Sequence, residues 1–201
     1  MTDPRPLELW FEFASTYTYL AVEAAAELTI RIAYRPFLLG PIFAAQGWND
    51  SPFNLFPAKG RYMFRDVERL CEAAGVPWQM PTQMPRNSLL AARIAIAHEN
   101  APWLPKFIRS VFRANFAENR EISEPTVLKE LLSAQNLNPE AILESAQTPT
   151  NKQLLKDRNQ QAIEQGIFGS PTWIAHNELF WGADRRTQAI AWWQTQKPTC
   201  S

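Results

Sequence analysis

The feature that most constrains the fold is a strand that runs directly into a helix near the N-terminus. Residues 7–13 alternate apolar and polar side chains and include aromatics, which is typical of a β-strand. The segment from Tyr17 to Leu28 is rich in Ala, Leu and Glu, as helices are. Ser15 and Thr16 lie between the two, and their side chains suit a helix N-cap. We therefore predict a strand–turn–helix unit with Ser15 at the start of the helix.

The start of such a helix is a favourable place for a negative charge. Its first amide N–H groups lack partners within the helix, and the helix dipole is positive there. A thiolate is an anion of this kind, so Ser15 is a candidate to hold a thiolate sulfur. The alternative is that Ser15 or Thr16 acts only as a cap.

Composition limits the classes of function. The 201 residues suit one domain, or one domain with a sizeable insertion. The formal net charge is +0, which gives no electrostatic case for binding nucleic acid or a membrane surface. No apolar run approaches the ~20 residues that cross a bilayer, and residues 1–6 lack a signal-peptide pattern. Cys71 and Cys200 suggest neither a metal site nor a redox pair, so we expect a cytoplasmic protein.

The order of predicted elements indicates a sheet that is interrupted by helices. Residues 29–35 alternate again and predict a second strand, parallel to the first and almost without a linker after the helix. Residues 46–60 are predicted to form a loop. Residues 166–175 predict a further strand, and Asn177 and Glu178 can turn it into a strand-like run over 179–181. Helices are predicted over 61–74, 89–99, 103–116, 123–135, 138–146, 149–165 and 187–194.

The first unit also carries a family resemblance. The pattern Phe-x-Phe-x-Ser-x-Tyr-x-Tyr-Leu-Ala over residues 11–21 resembles the start of the 2-hydroxychromene-2-carboxylate isomerases. These are related to kappa-class glutathione transferases and to the DsbA branch of the thioredoxin superfamily. DsbA-like oxidoreductases have Cys-x-x-Cys where this chain has residues 15–18, which contain no cysteine, so a disulfide oxidoreductase is disfavoured. The family usually has Pro where this chain has Thr16.

The resemblance implies an α/β fold of the thioredoxin-like (DsbA-like) type. Its β-α-β and α-β-β-α halves would be separated by a helical insertion. We predict a thioredoxin-like domain formed by residues 1–39 and 150–201, with residues 40–149 as an inserted all-helical domain.

Two further motifs match the family. Phe-Gly-x-Pro-Thr includes Ser170 and Pro171; the resemblance implies a cis proline beside the Ser15 turn and a Ser170 backbone that binds an extended peptide. The alternative is an edge-strand proline after a turn.

The second motif resembles the Gly-x-Asp-Arg turn that holds the γ-glutamyl end of glutathione, where a carboxylate faces an ammonium. The alternative is that Asp184 caps the closing helix, for which it is equally suited. Its cofactor-binding residues would be Trp181, Gly182, Ala183 and Asp184.

Weaker matches place five more residues near the site. Asn49 resembles a family Asn that contacts glutathione, with Asn54 as a rival, although loop asparagines are usually turn formers. Lys59, within Pro-x-Lys-Gly-x-Tyr, would pair with a carboxylate of glutathione or substrate; the alternative is a solvated lysine. Arg86 and Asn87, within Pro-Arg-Asn-Ser, would contact the substrate, because an Arg fork binds two carboxylate oxygens.

The resemblance implies a glutathione-dependent isomerase. Ser15 would donate to the glutathione sulfur. The thiolate would add to the conjugated system of 2-hydroxychromene-2-carboxylate, leave a single bond that can rotate, and then be expelled, which gives trans-o-hydroxybenzylidenepyruvate, as in aromatic catabolism. We expect a small aromatic carboxylate as substrate and a homodimer. The alternatives are a kappa-like glutathione transferase or peroxidase and a non-catalytic thioredoxin-fold binding protein. His98 and His176 form no convincing dyad with Ser15, and no metal cluster is predicted.

Overall fold

A four-stranded mixed sheet lies at the centre of the computed structural model, which describes residues 5–195. The strand order is β2-β1-β3-β4, with β1 parallel to β2 and antiparallel to β3, and β4 antiparallel to β3. The predicted parallel pairing of the first two strands is confirmed. The strands are β1 Leu7–Phe11, β2 Ile32–Pro36, β3 Thr172–Ala175 and β4 Glu178–Trp181.

Helices fill the rest of the fold, and most of them lie between β2 and β3. A short 3-10 helix, Ala183–Arg185, follows β4. The α-helices are α1 Thr16–Ala25, α2 Leu39–Ala45, α3 Pro52–Leu55, α4 Pro57–Ala74, α5 Leu89–Ala97, α6 Leu104–Phe116, α7 Pro125–Ser133, α8 Pro139–Ala146, α9 Pro149–Glu164 and α10 Arg186–Thr195.

The segment between α1 and α4 differs from the prediction in two ways. Residues 26–31 separate α1 from β2, so the expected near-absence of a linker is wrong. The predicted loop over 46–60 contains α3 and the first turn of α4, and α2 was not predicted. Prolines explain the missed helices, because we took them in this segment as signals for a loop. Pro52 and Pro57 instead occupy the first turns of α3 and α4, where a missing N–H costs nothing.

Alternation along β1 divides the core between the two faces of the sheet. Leu7, Leu9 and Phe11 belong to the main hydrophobic cluster, which extends across α1 and α4 to α8. Trp10 points to the other face, where it packs with Phe37 and residues of α2 and α9. The main cluster is continuous from the sheet into the helices, and the predicted domain boundaries at 39/40 and 149/150 stay a prediction. Among the described helices, none has both the length and the apolar character to cross a membrane.

A buried carboxylate fixes α1 against α6. The Glu23 side chain is 6% exposed, and it accepts hydrogen bonds from Arg109 Nη2 at 2.7 Å and Arg113 Nε at 2.6 Å. Burial by itself raises the pKa of Glu23, but the hydrogen bonds from Arg113 and Arg109 outweigh it and bring the pKa below the ordinary 4.5. The ion pairs therefore stabilise the packing of the helix that begins at Ser15.

We expect Glu23→Gln to lower the free energy of unfolding by about 1–3 kcal/mol at pH 7, because two charged donors lose their carboxylate. A carboxylate with a lowered pKa stabilises the fold above its unfolded-state pKa, and this contribution disappears as the pH falls through the folded-state value. Urea unfolding at pH 7 and at successively lower pH measures both effects. The difference between wild type and variant should shrink in acid, whereas the exposed control Glu27→Gln should show little difference at any pH.

Candidate functional site

Ser15 stands at the N-cap of α1, as the sequence predicts. Its backbone is extended, with φ −86° and ψ 119°, and Thr18 N–H donates to its Oγ at 3.3 Å. The first turn of α1 contains no acidic residue that would repel an anion. Ser15 is only 9% exposed, so little of the residue is open to solvent.

Ser170 meets Ser15 across 155 positions of the sequence. The Ser15 hydroxyl donates to the Ser170 carbonyl oxygen at 2.9 Å. The Ser170 hydroxyl is in turn held by Glu12 N–H at 2.9 Å and by Thr18 Oγ1 at 2.7 Å. The 169–172 segment is therefore fixed to the first turn of α1 through both its backbone and a side chain.

The bond between Ser170 and Pro171 is cis, as the family resemblance implies. The Pro171 carbonyl accepts a hydrogen bond from Gly182 N–H at 2.9 Å, which holds the segment after β4 beside the proline. Gly182 has φ 121° and ψ 154°, a conformation that favours glycine. A Cβ at this position would also overlap the Asp184 carboxylate, so glycine leaves room for the Asp184 side chain beside it.

Asp184 presents a carboxylate to solvent at this corner. Its side chain is 72% exposed, and Arg185 Nε lies 3.4 Å from Asp184 Oδ2. Nearby, Trp181 packs edge-on against Phe168, with ring centroids 4.8 Å apart, and both rings are about half exposed. Gly169 permits this packing, since a Cβ there would overlap the Trp181 indole nitrogen. The corner thus offers an anionic group next to an aromatic surface.

Glu12 is a buried carboxylate beside the Ser15 turn that we took for an ordinary polar strand position. It is 4% exposed and lies just beyond the end of β1. Its oxygens accept from Ala14 N–H at 3.2 Å, Leu39 N–H at 3.0 Å and the Ser88 hydroxyl. Burial raises the pKa of Glu12, and these hydrogen bonds offset the shift only in part. Glu12 joins the Ser15 turn to the starts of α2 and α5.

The predicted contacts from the segment between α2 and the start of α4 lie outside this network. Asn49 is exposed, Asn54 Nδ2 donates to both Asp50 carboxylate oxygens at 3.1 Å, and Lys59 Nζ lies 4.6 Å above the Phe56 ring. Across residues 5–195, no hydrogen bond or ion pair joins Asn49, Asn54 or Lys59 to Ser15 or Ser170. These three residues stay predictions.

Arg86 is held by partners within the protein. Its guanidinium is buried, with the residue 3% exposed, and it donates to the Asn115 carbonyl and side-chain oxygens at 3.0 and 2.9 Å and to the Asn119 side chain. The Glu121 carboxylate lies 3.3 Å from its Nε. A substrate carboxylate would compete with these internal partners, and the predicted substrate contact of Arg86 stays a prediction.

Asn87 and Ser88 have separate tasks at the start of α5. Asn87 is exposed, and its side-chain oxygen accepts from Leu89 N–H at 2.9 Å, so the predicted substrate contact would compete with this local bond. Ser88 reaches inward to Glu12. Sequence reasoning missed Ser88 as well as Glu12 and Thr18. Their only signal was polarity within otherwise apolar segments, which does not distinguish a buried partner from a surface residue.

The remaining candidates for chemistry do not reach the site. His176 Nε2 lies 3.0 Å from the Trp193 carbonyl oxygen, and His98 ends α5, where burial lowers its pKa. Cys71 is a buried free thiol in α4, and Cys200 lies outside the described residues. In the part of the chain that the structure describes, no cluster of three or more His, Cys, Asp or Glu side chains is placed to hold a metal ion.

Known proteins share both the sequence pattern and this architecture. Glutathione S-transferase kappa 1 of Homo sapiens is 28% identical over 200 residues, covering 90% of this chain and 88% of that protein. The 2-hydroxychromene-2-carboxylate isomerase of Sphingobium xenophagum is 25% identical over 188 residues, covering 90% and 94%. A solved 2-hydroxychromene-2-carboxylate isomerase structure superimposes with a TM-score of 0.81 at 22% identity, covering 92% of each chain.

These comparisons confirm the resemblance and the predicted fold class. The relatives named above are enzymes, and the likeness extends over nearly the whole chain. The family model described as a DSBA-like thioredoxin domain matches residues 6–189. With its strand–turn–helix unit, its cis proline and its helical block all in place, the chain belongs to the DSBA-like thioredoxin domain family.

Proposed function

We propose that this protein is a glutathione-dependent isomerase that acts on 2-hydroxychromene-2-carboxylate. The observation that carries the proposal is the Ser15 hydroxyl, which lies at the N-terminus of α1 beside the backbone of Ser170. This position holds the reactive cysteine in DsbA-like oxidoreductases. A hydroxyl there cannot form a disulfide, but it can donate to a sulfur that a ligand brings.

The residues of the site fit glutathione by their chemistry. Ser15 and the N-terminus of α1 suit a thiolate, because both present hydrogens to an anion. Asp184 supplies an exposed carboxylate for the ammonium of the γ-glutamyl group. The Ser170 carbonyl accepts from Ser15, and the next residue, the cis Pro171, accepts from Gly182 N–H, two positions before Asp184. When bound, glutathione would supply a nucleophilic sulfur that adds to a conjugated double bond, lets it rotate and leaves again.

The protein would then have two tasks, to stabilise the ionised sulfur and to stabilise negative charge on the substrate. The Ser15 hydroxyl would stabilise the ionised sulfur and so raise the fraction of anion at neutral pH. Negative charge that develops on the keto acid of the substrate requires a hydrogen-bond donor or a cation, and Lys59 is the charged residue that we propose for it. We keep Asn49 as a glutathione contact and Asn54 and Asn87 as substrate contacts, and we propose a cytoplasmic homodimer.

A kappa-like glutathione transferase is the second candidate. The observation that favours it is the 28% identity to human glutathione S-transferase kappa 1, compared with 25% to the isomerase of Sphingobium xenophagum. The two functions share the glutathione site and differ in the second substrate. Assays of the purified protein with 2-hydroxychromene-2-carboxylate and with a chloronitrobenzene, each with and without glutathione, separate them.

We expect Ser15→Ala to reduce turnover of the chromene by about 10²–10³-fold, as loss of one donor to a developing anion does in other enzymes. The thiol pKa of bound glutathione should rise toward ~8.5. Kinetics and titration of the thiolate absorbance measure the two effects.

The control for Ser15→Ala is Thr148→Ala. Thr148 caps α9 by accepting from Asn151 N–H, so the control also loses an N-cap, a change that costs about 1 kcal/mol of stability. It should keep full activity. Equal turnover and equal thiol pKa in wild type and Ser15→Ala would remove Ser15 from the mechanism.

We expect Asp184→Asn to weaken glutathione binding by about tenfold, since a charge-assisted hydrogen bond to the γ-glutamyl ammonium becomes a neutral one. Calorimetry should show that cysteinylglycine, which lacks the γ-glutamyl group, binds wild type and variant equally. Glu178→Gln removes the same charge from an exposed position on β4 and serves as the control. An unchanged affinity of Asp184→Asn for glutathione would place the γ-glutamyl group elsewhere.

A further inference from the structure

The Glu12 carboxyl group lies buried behind the turn that leads into α1. Its Oε1 accepts from Ala14 N–H at 3.2 Å, and the Glu12 carbonyl oxygen accepts from Ser15 N–H at 3.0 Å. Because these two bonds close the turn, the side-chain oxygen of Glu12 lies within about 10 Å of the Ser15 hydroxyl. A thiolate bound at Ser15 would therefore have a carboxylate of like charge close behind it.

No cation neutralises the Glu12 carboxylate. In residues 5–195 no ion pair involves Glu12, whose side-chain partners are two backbone N–H groups and the Ser88 hydroxyl. Backbone N–H groups can only donate, and they use both carboxyl oxygens, Ala14 on Oε1 and Leu39 on Oε2. These bonds favour the ionised form and partly offset burial, which raises the pKa of Glu12. Glu23, by contrast, shares its charge with two arginines.

The other titratable groups around Glu12 have partners elsewhere or lie further along their helices. Residues 39–45 of α2 and residues 169–175 contain no titratable side chain. The Tyr17 hydroxyl on α1 donates to a carboxylate of α4, and Arg86, before α5, donates to a side chain of α6. Arg93 and His98 lie at least four positions, or about 6 Å, along α5 from its first residue. Glu12 is therefore a buried acid without a counter-ion.

We propose that Glu12, without touching the ligand, limits how strongly the N-terminus of α1 stabilises a thiolate at Ser15. This inference rests on the proposed function, in which the sulfur of glutathione is ionised there. Two like charges about 10 Å apart, at an effective dielectric constant of about 20, raise the pKa of the second acid to ionise by about one unit. Glu12 is thus a positioning residue that acts through the Ser15 turn and holds the thiol pKa above the value that the helix and the hydroxyl would give alone.

A limit of this kind suits a sulfur that has to react as well as ionise. A thiolate of lower pKa is more abundant at neutral pH but is a weaker nucleophile, and the best attacking thiol has a pKa near the ambient pH. A helix N-terminus can bring a thiol pKa far below neutral. The charge of Glu12 would keep the bound sulfur nucleophilic enough to add to the conjugated double bond of the substrate.

The test uses the full-length protein with glutathione and three variants. Glu12→Gln removes the charge and keeps the length of the side chain, whereas Glu12→Asp keeps the charge and shortens the side chain. The control is Glu23→Gln, which also removes a buried carboxylate, but one that two arginines neutralise. Thiolate absorbance as a function of pH gives the thiol pKa of bound glutathione, and urea unfolding gives the stability of each variant.

We expect Glu12→Gln to lower the thiol pKa of bound glutathione by about one unit relative to wild type. The rate of the chromene reaction per thiolate should fall about threefold, because nucleophilicity declines with thiol pKa. Glu12→Asp and Glu23→Gln should keep the wild-type thiol pKa, although both should unfold at lower urea concentration. A purely structural role of Glu12 predicts lost stability in Glu12→Gln with no fall in the thiol pKa.

Two results would contradict the inference in distinguishable ways. If wild type lowers the thiol pKa of glutathione and Glu12→Gln lowers it no further, Glu12 does not oppose the thiolate, although the proposed function stands. If wild type itself shows no lowered thiol pKa, the proposed function fails and the inference fails with it. Should Glu12→Gln not fold, Glu12→Asp is the deciding variant, and a fall of its thiol pKa by about one unit would contradict the inference.

Discussion

The hydrogen bond from Ser15 to the Ser170 carbonyl is the interaction on which the site depends. It joins the first strand–helix unit of the chain to the cis-proline segment near its end. The sheet makes this contact possible, because the antiparallel pairing of β1 with β3 brings the end of β1 beside the start of β3. Glu12 N–H and Thr18 Oγ1 then fix the position of Ser170 by hydrogen bonds to its hydroxyl. The helical block supports this arrangement by packing against α1.

In the proposed function, the site adapts a thiol-based fold to a thiol that a ligand supplies. A cysteine at position 15 would provide its own sulfur and exchange disulfides, whereas a serine provides only a hydrogen bond. The helix N-terminus favours an anion in either case. In the proposed function the residue changes the source of the sulfur, and the corner around Asp184 would bind the ligand that brings it.

Local patterns in the sequence predicted the elements that have strong periodicity or caps. The β1–α1 unit and the N-cap at Ser15 follow from alternation and capping chemistry. That the Pro171 segment lies beside the Ser15 turn followed only from the family motif, because nothing local indicates a contact across so many residues. Prolines misled the prediction between β2 and α4. The burial of Arg86 and Glu12 was not predicted for one reason: whether a charged side chain is buried depends on tertiary partners, here Asn115 and Ser88, that a single sequence does not reveal.

The proposed function depends on one step, in which Ser15 stabilises the ionised sulfur of bound glutathione. A crystal structure of the glutathione complex tests it most directly. The account predicts the sulfur within hydrogen-bond reach of Ser15 Oγ. Glutathione bound with its sulfur remote from Ser15, at full occupancy and in an active protein, would contradict it.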